Sequence, residues 1–310
     1  AKTLKYKKGK TSNVEKNNSN PIGTGPYKLK SFSKTEGASL DRNENFEAKD
    51  GEYQISKIMI KKTETSTEIK ELENGTVDYI PDVVDANKIN TVAKDKDKGL
   101  TMDSYPSDRE DFLFMNTVAG ACQDQAVRQA LAYGFDREAY IASYYKLDDK
   151  DAKLAYVPSM FGNPVSGANG AYIRGEEKVD GATYYDYDVE KAKQILDDAG
   201  WTVGSDGIRE KDGQKLSIKF LATKEKDAMD TLIPMLQKEW GELGVDFKAN
   251  TMEFNTVIAT VGDDSAVGDW DVSYLGFSFG SPEDTEVDYL IQSKGVNNFA
   301  RLKDDELDSY

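Results

Sequence analysis

Between Leu216 and Ala249 the hydrophobic period changes twice, and this constrains the fold more than any other feature of the chain. Leu216, Ile218 and Phe220 alternate as a strand does. Met229, Leu232, Ile233, Leu236, Trp240 and Leu243 then trace one helical face, with a kink expected at Pro234. Val245, Phe247 and Ala249 alternate again. A strand feeding a helix that feeds a second strand predicts an α/β layer.

The rest of the chain reads in the same terms. Gly23-Thr24-Gly25-Pro26 is a shaped loop, because its glycines and prolines punctuate the backbone. After it, Tyr27, Leu29 and Phe32, then Ala38, Leu40 and Arg42, predict two strands joined by a turn near Thr35 to Gly37, and Ile58 with Ile60 a third. Ile69 and Leu72 before Asn74-Gly75 predict a short helix with a glycine stop, followed by a strand through Val77, Tyr79 and Ile80. Lys94 to Lys98 reads as solvated surface. Phe112 to Asn116 predicts a buried strand, and Asp124 caps a helix carrying Val127, Ala130, Leu131 and Phe135. Asp136 restarts the helical pattern with Tyr140 and Ile141. Residues Pro158 to Gly181 predict a long loop, and Asp188 opens a helix stopped by Gly200, after which Trp201 packs back.

Composition excludes several classes of function. Against 40 basic residues stand 56 acidic ones, a net charge of -16 that leaves nothing to neutralise a run of phosphates, so no nucleic-acid partner is expected. One cysteine, Cys122, allows no intramolecular disulfide, and the absence of histidine removes the usual zinc ligands and the usual general base. Neither a metal nor a cofactor is expected. No apolar run approaches the roughly 18–20 residues that span a bilayer. Ala1 to Lys10 is basic and has no hydrophobic stretch, so either the protein is cytosolic or its secretion signal lies outside this sequence.

Carboxylate pairs such as Asp148 with Asp149 and Asp151, or Asp263 with Asp264, raise a glycosidase reading. Each lies in a polar stretch, so solvated faces are the simpler expectation. Gly23-Thr24-Gly25 lacks the Gly-Lys-Ser/Thr ending of a phosphate cradle, and Pro26 removes a donor. The strongest candidate is Trp270 to Asp284, where a strand through Val272, Tyr274 and Leu275 is expected to break into the loop Gly276-Phe277-Ser278-Phe279-Gly280-Ser281-Pro282. Aromatic side chains on such a loop either line a cleft or pack beneath it.

Five ordered segments resemble one family. Asn20-Pro21-Ile22-Gly23-Thr24-Gly25-Pro26-Tyr27 is similar to the Gly-Thr-Gly-Pro-Tyr/Phe stretch of the family 5 extracellular solute-binding proteins, the peptide- and nickel-binding group. Glu73-Asn74-Gly75-Thr76-Val77-Asp78, Phe114-Met115-Asn116-Thr117, Val127 to Tyr133 with Asp136-Arg137-Glu138, and Tyr187-Asp188 through Ala199-Gly200-Trp201 resemble later landmarks of that family.

The resemblance implies a two-lobed α/β fold of the type II periplasmic-binding-protein kind, with residues 1–111 in an incomplete first lobe and 112–310 in the second. It also implies a binding protein of an ABC importer that captures oligopeptides or dipeptides outside the membrane. Such a protein is periplasmic or lipid-anchored, is not an enzyme, acts as a monomer and partners a membrane permease. A nickel chelate or another small solute is the alternative cargo within the family. Phe277 stands where peptide-binding relatives carry tryptophan, and Gly280 falls near the position of an aspartate that holds the peptide's amino terminus. Glu283 or Asp284 is expected to supply that charge instead. The candidate ligand-binding residues are therefore Asn116, Tyr274, Phe277, Phe279, Glu283 and Asp284, with capping of the strand end as a second role open to Asn116.

Overall fold

The computed structural model describes residues 21–49, 51–94, 98–105, 107–148, 162–224, 228–280 and 288–309. The chain divides into two compact units between Val83 and Val84, ahead of the boundary expected near Asp111.

In the first unit β1 (Tyr27–Ser33), β2 (Gly37–Arg42) and β3 (Lys57–Ile60) form an antiparallel sheet in that order. Phe32, Ala38 and Ile60 stand in one row across it, and Leu29, Leu40 and Ile58 in another beyond the Ser31–Ser39–Met59 row. The turn depends on Gly37, whose φ is +92° and whose Cβ, were there one, would lie 1.9 Å from the Ile60 carbonyl oxygen. Asn43 secures the loop ahead of β1: its side chain donates to the Gly25 carbonyl at 2.9 Å and its backbone N–H to that of Pro26 at 2.7 Å.

Helix α1 (Glu68–Glu73) ends as the sequence predicts, at Gly75 with φ +68°. The strand expected through Val77, Tyr79 and Ile80 does not form. Those residues pair with no strand among the described residues, and Tyr79 is largely exposed, so alternation there reflects no buried face.

The second unit begins with α2 (Ala86–Lys94), which sequence reading did not pick out. It continues through β4 (Arg109–Met115), α3 (Gln125–Tyr133), α4 (Arg137–Tyr144), α5 (Gly170–Ile173), α6 (Val189–Asp198), β5 (Thr202–Val203), β6 (Arg209–Lys211), β7 (Gln214–Lys215), β8 (Ser217–Thr223), α7 (Met229–Glu242), β9 (Asp246–Met252), α8 (Phe254–Gly262), β10 (Val272–Ser278) and α9 (Asp288–Ile291). The main sheet has the order β4-β10-β8-β9. Strands β8 and β9 are parallel and joined through α7, which continues past Pro234, so the strand–helix–strand expectation holds. The short helix α5 interrupts what sequence suggested was a loop from Pro158 to Gly181, whose first residues lie outside the described ones.

Two cores flank this sheet. Ile218, Phe220 and Ala222 of β8 face one, with Val127, Leu131, Ala192, Leu196, Leu236 and Trp240 from the helices. Leu221 faces the other, with Phe114, Val257, Val261, Trp270 and Leu275. Three aspartates start helices as N-caps: Asp124 accepts from Ala126 N–H, Asp136 from Ala139 N–H and Asp188 from Lys191 N–H. Each leaves the apolar stripe that follows in phase with the core.

Candidate ligand-binding wall

Strands β4 and β10 run antiparallel in unbroken register, from Val272 opposite Met115 to Ser278 opposite Arg109. Expectation and structure part here: the strand does not break at Gly276 but continues through Phe277 to Ser278, because β4 begins at Arg109 and supplies partners for the added residues. The period of two then sorts the side chains. Val272, Tyr274 and Gly276 share a face with Met115, Leu113 and Asp111, while Leu275 and Phe277 share the other with Phe112 and Glu110.

The six candidate residues are not equally placed. Asn116 is fully buried; its Nδ2 donates to the carbonyls of Val267 at 2.8 Å and Trp270 at 3.1 Å, and its Oδ1 accepts from Val118 N–H. Its side chain ties the end of β4 to the turn before β10, the capping role left open by sequence. Tyr274 is buried at the junction of strand and helices. Phe279 is completely buried, its ring edge-to-face with the half-buried Phe277 at 5.2 Å between centroids, and its N–H donates to the Asp108 carbonyl. Phe279 thus packs beneath the strand end and Phe277 is the more accessible of the pair. Glu283 and Asp284 lie outside the described residues.

Beside Tyr274 the structure gathers groups that sequence reading missed. Tyr274 is hydrogen-bonded to the Asp111 carboxylate; burial, then the Asp111 charge, holds its hydroxyl well above the usual phenol range. Burial likewise pushes Tyr140 up to about 12, against the neighbouring Tyr274 hydroxyl. The ring of Tyr140 stacks on Tyr144 at 6.1 Å and meets Tyr145 edge-on at 6.0 Å. Arg109 Nη2 lies 3.6 Å from Asp111 Oδ1. Asp111 follows Glu110 directly, so the apolar run after it did not single it out, and nothing local announced its cross-strand neighbour Gly276.

On the far side of the strand pair, Glu110 is buried and accepts from Gly162 N–H at 2.9 Å. Of the carboxylates weighed for hydrolysis, the described ones are engaged by other partners. Asp263 is spent on Ser265, whose N–H and hydroxyl hold its carboxyl below the usual range, and Asp148 is bound to Lys94; Asp149 and Asp151 lie outside the described residues. Among the described residues no group of three or more Cys, Asp or Glu side chains is placed to hold a metal ion.

Residues 2–299 match the family described as bacterial extracellular solute-binding proteins, family 5 Middle. The chain belongs to this family. An oligopeptide-binding protein of Bacillus subtilis, AppA, is 24% identical over 301 residues, 95% of this chain and 51% of that protein. A dipeptide-binding protein of Escherichia coli is 26% identical over 263 residues, 82% of this chain and 43% of the relative. The chain thus spans about half the length of the curated relatives it matches.

Solved structures agree on the fold. NikZ from Campylobacter jejuni, in complex with Ni(L-His), superposes with a TM-score of 0.74 at 24% identity, covering 95% of this chain and 55% of that one. AppA from Bacillus subtilis, in complex with a nonapeptide, gives 0.72 at 21% identity, covering 97% and 57%. The α/β fold of the periplasmic binding proteins of this family is therefore the fold of this chain.

Proposed function

We propose that the protein to which this chain belongs is the substrate-binding component of an ABC importer, and that it holds a peptide outside the membrane without converting it. The carrying observation is the family match across residues 2–299, whose relatives include proteins named for oligopeptides and dipeptides. No helix among the described residues is long and apolar enough to cross a membrane.

In this reading the chain contributes to two lobes; the division expected at residue 111 falls inside β4, whose pairing with β10 keeps all of Arg109–Met115 in the second. The mechanism is population shift: a ligand closes the lobes only by the difference in its affinity for the open and closed forms. In this reading Phe277, the more accessible aromatic of the pair, contacts the ligand, Asn116, Tyr274 and Phe279 hold the strand end from within, and Glu283 and Asp284 are the candidate source of negative charge for it. Main-chain hydrogen bonds supply affinity for peptides of varied sequence, and side-chain pockets filled partly by water tolerate that variety.

A nickel chelate is the second reading, favoured by the superposition on NikZ in its Ni(L-His) complex. Against it stands a chain without a single histidine, in a family fold that NikZ and AppA share. Mass spectrometry of the small molecules that copurify with the full-length protein separates the two. Peptides of mixed sequence are the expected result; a metal chelate or a sugar as the sole cargo overturns the reading.

A further inference from the structure

The sequence places glycine directly after asparagine twice, at Asn74-Gly75 and at Asn169-Gly170. Such a pair is chemically vulnerable, because glycine has no side chain to keep its backbone nitrogen from reaching the neighbouring side-chain amide. Whether it reacts depends on how readily the backbone around it opens.

At Asn74 little resists opening. The pair ends α1, a helix of six residues that buries none of them and has no side-chain hydrogen bond at its N-cap, Thr67. A helix this short does not persist on its own hydrogen bonds. Its last turn is closed by backbone bonds, from Gly75 N–H to the Leu72 carbonyl at 3.1 Å and from Thr76 N–H to that of Glu71 at 2.8 Å. Lys61 reaches Glu71 at 2.8 Å from outside the helix, but with side-chain exposures of 46% and 23% that tether is weak. Asn74 and Gly75 are both exposed.

At Asn169 the same dipeptide is clamped. Gly170 is buried, and its N–H donates to the Ser166 carbonyl at 2.9 Å. A Cβ on Gly170 would lie 2.8 Å from both the Pro164 carbonyl oxygen and Arg174 Nη1, so the backbone there is closely packed. The Asn169 carbonyl accepts from Ile173 N–H at 3.0 Å, and the Asn169 N–H donates to Ser166 Oγ at 3.2 Å.

We propose that Asn74 is a site of spontaneous deamidation, with water as the co-reactant, and that Asn169 is protected from it. When the last turn of α1 opens, the Gly75 backbone nitrogen bonds to Asn74 Cγ and gives up its proton. The Cγ–Nδ2 bond breaks, and the side-chain nitrogen leaves as ammonia with that proton. Water then opens the resulting cyclic imide at one of its two carbonyls. Opening at Cγ leaves aspartate, and opening at the backbone carbonyl leaves isoaspartate; nothing is oxidised or reduced. Either product replaces a neutral amide with a carboxylate at the end of α1 where unpaired carbonyls already concentrate negative charge. The inference concerns the first unit and does not depend on what the protein carries.

In the test, full-length protein is incubated in parallel under native conditions and unfolded in urea. It is then digested, and the peptides holding Asn74 and Asn169 are followed by mass spectrometry for the gain of one mass unit. Unfolded, the two sites should react at similar rates, since both precede glycine. In the native protein Asn74 should react at least about 10-fold faster than Asn169, the difference between a marginal segment and a packed one. Asn74→Gln, whose longer side chain forms the imide ring far more slowly, should remove the mass gain from its peptide. A smaller native ratio, or no reaction at Asn74 over a period in which the unfolded chain reacts completely, overturns the inference. Persistence of the gain in Asn74→Gln assigns the reaction to another amide and overturns it equally.

Discussion

Replacing Asp124 with alanine tests how the larger unit is held together, because one carboxylate there joins three elements. Its Oδ1 caps α3 by accepting from Ala126 N–H at 2.9 Å. Its Oδ2 accepts from Trp201 Nε1 at 3.1 Å, just past the end of α6, and from Lys211 Nζ at 2.8 Å on β6. Loss of an N-cap costs about 1 kcal/mol. The indole N–H of Trp201, itself buried, loses its partner for about another 1 kcal/mol. The Lys211 pair adds less than about 1 kcal/mol, since both side chains are roughly a quarter to a third exposed. Asp124→Ala is thus expected to lose about 2–3 kcal/mol in urea unfolding followed by tryptophan fluorescence, and about 4–10 °C in thermal midpoint. Asp124→Asn, which retains a cap and an acceptor, should lose less than half of that.

The pH dependence follows from the same contacts. Burial alone would raise the Asp124 carboxyl, but the hydrogen bonds from Lys211, Trp201 and Ala126 outweigh it and leave the folded value below the ordinary one. A carboxylate depressed on folding contributes stability that is complete above the unfolded value, about 3.9, and is lost as pH falls through the folded value. The gap between wild type and Asp124→Ala should therefore hold from neutral pH down to about 4 and close below it. A loss under about 0.5 kcal/mol at pH 7, or a gap that widens on acidification, would refute this account of the junction.

Two further substitutions probe other buried carboxylates. Glu239 on α7 accepts from the Asp136 N–H, and burial, with the charges of Asp136 and Glu242 adding, raises its carboxyl above the ordinary range. A raised carboxylate weakens the fold as pH rises from the unfolded value through the folded one, so Glu239→Gln should match wild type below about pH 4 and exceed it at pH 7 in urea titrations. Gly120 adopts φ +62°, and a Cβ there would lie 1.6 Å from Oδ1 of the buried Asp271. Gly120→Ala should cost at least about 2 kcal/mol in the same measurement, and an unchanged midpoint would show that Asp271 moves freely.

Which features could be read from the chain depended on how local their causes are. The caps Asp124 and Asp188, the stops Gly75 and Gly200, and the alternation of Ile218 and Phe220 each act within a few residues, and all stand in the structure. Helix α2 was missed because Asn87, Lys88, Asn90 and Thr91 dilute its stripe, although Ala86, Ile89 and Val92 are buried along one side. The small sheet β5-β6-β7 escaped notice because its strands are two or three residues long and mostly exposed, leaving no alternating pattern to detect. Val77 to Ile80 failed in the opposite sense, since alternation without a partner strand has nothing to hold it.

The candidate wall shows the same limit at the level of chemistry. Sequence drew attention to aromatic residues near Gly276 because they are unusual on a loop, yet the strand continues and Phe279 turns inward. What distinguishes Gly276 is its position opposite Asp111, fixed by an antiparallel register between segments far apart in the chain. A one-residue slip of that register would bring Gly276 opposite Glu110 or Phe112 and turn Asp111 to the other face. The buried ends of the pair oppose such a slip: Asn116 holds the carbonyls of Val267 and Trp270, and Tyr274 sits in the larger core. In this way residues buried in the core fix which carboxylate stands over Gly276.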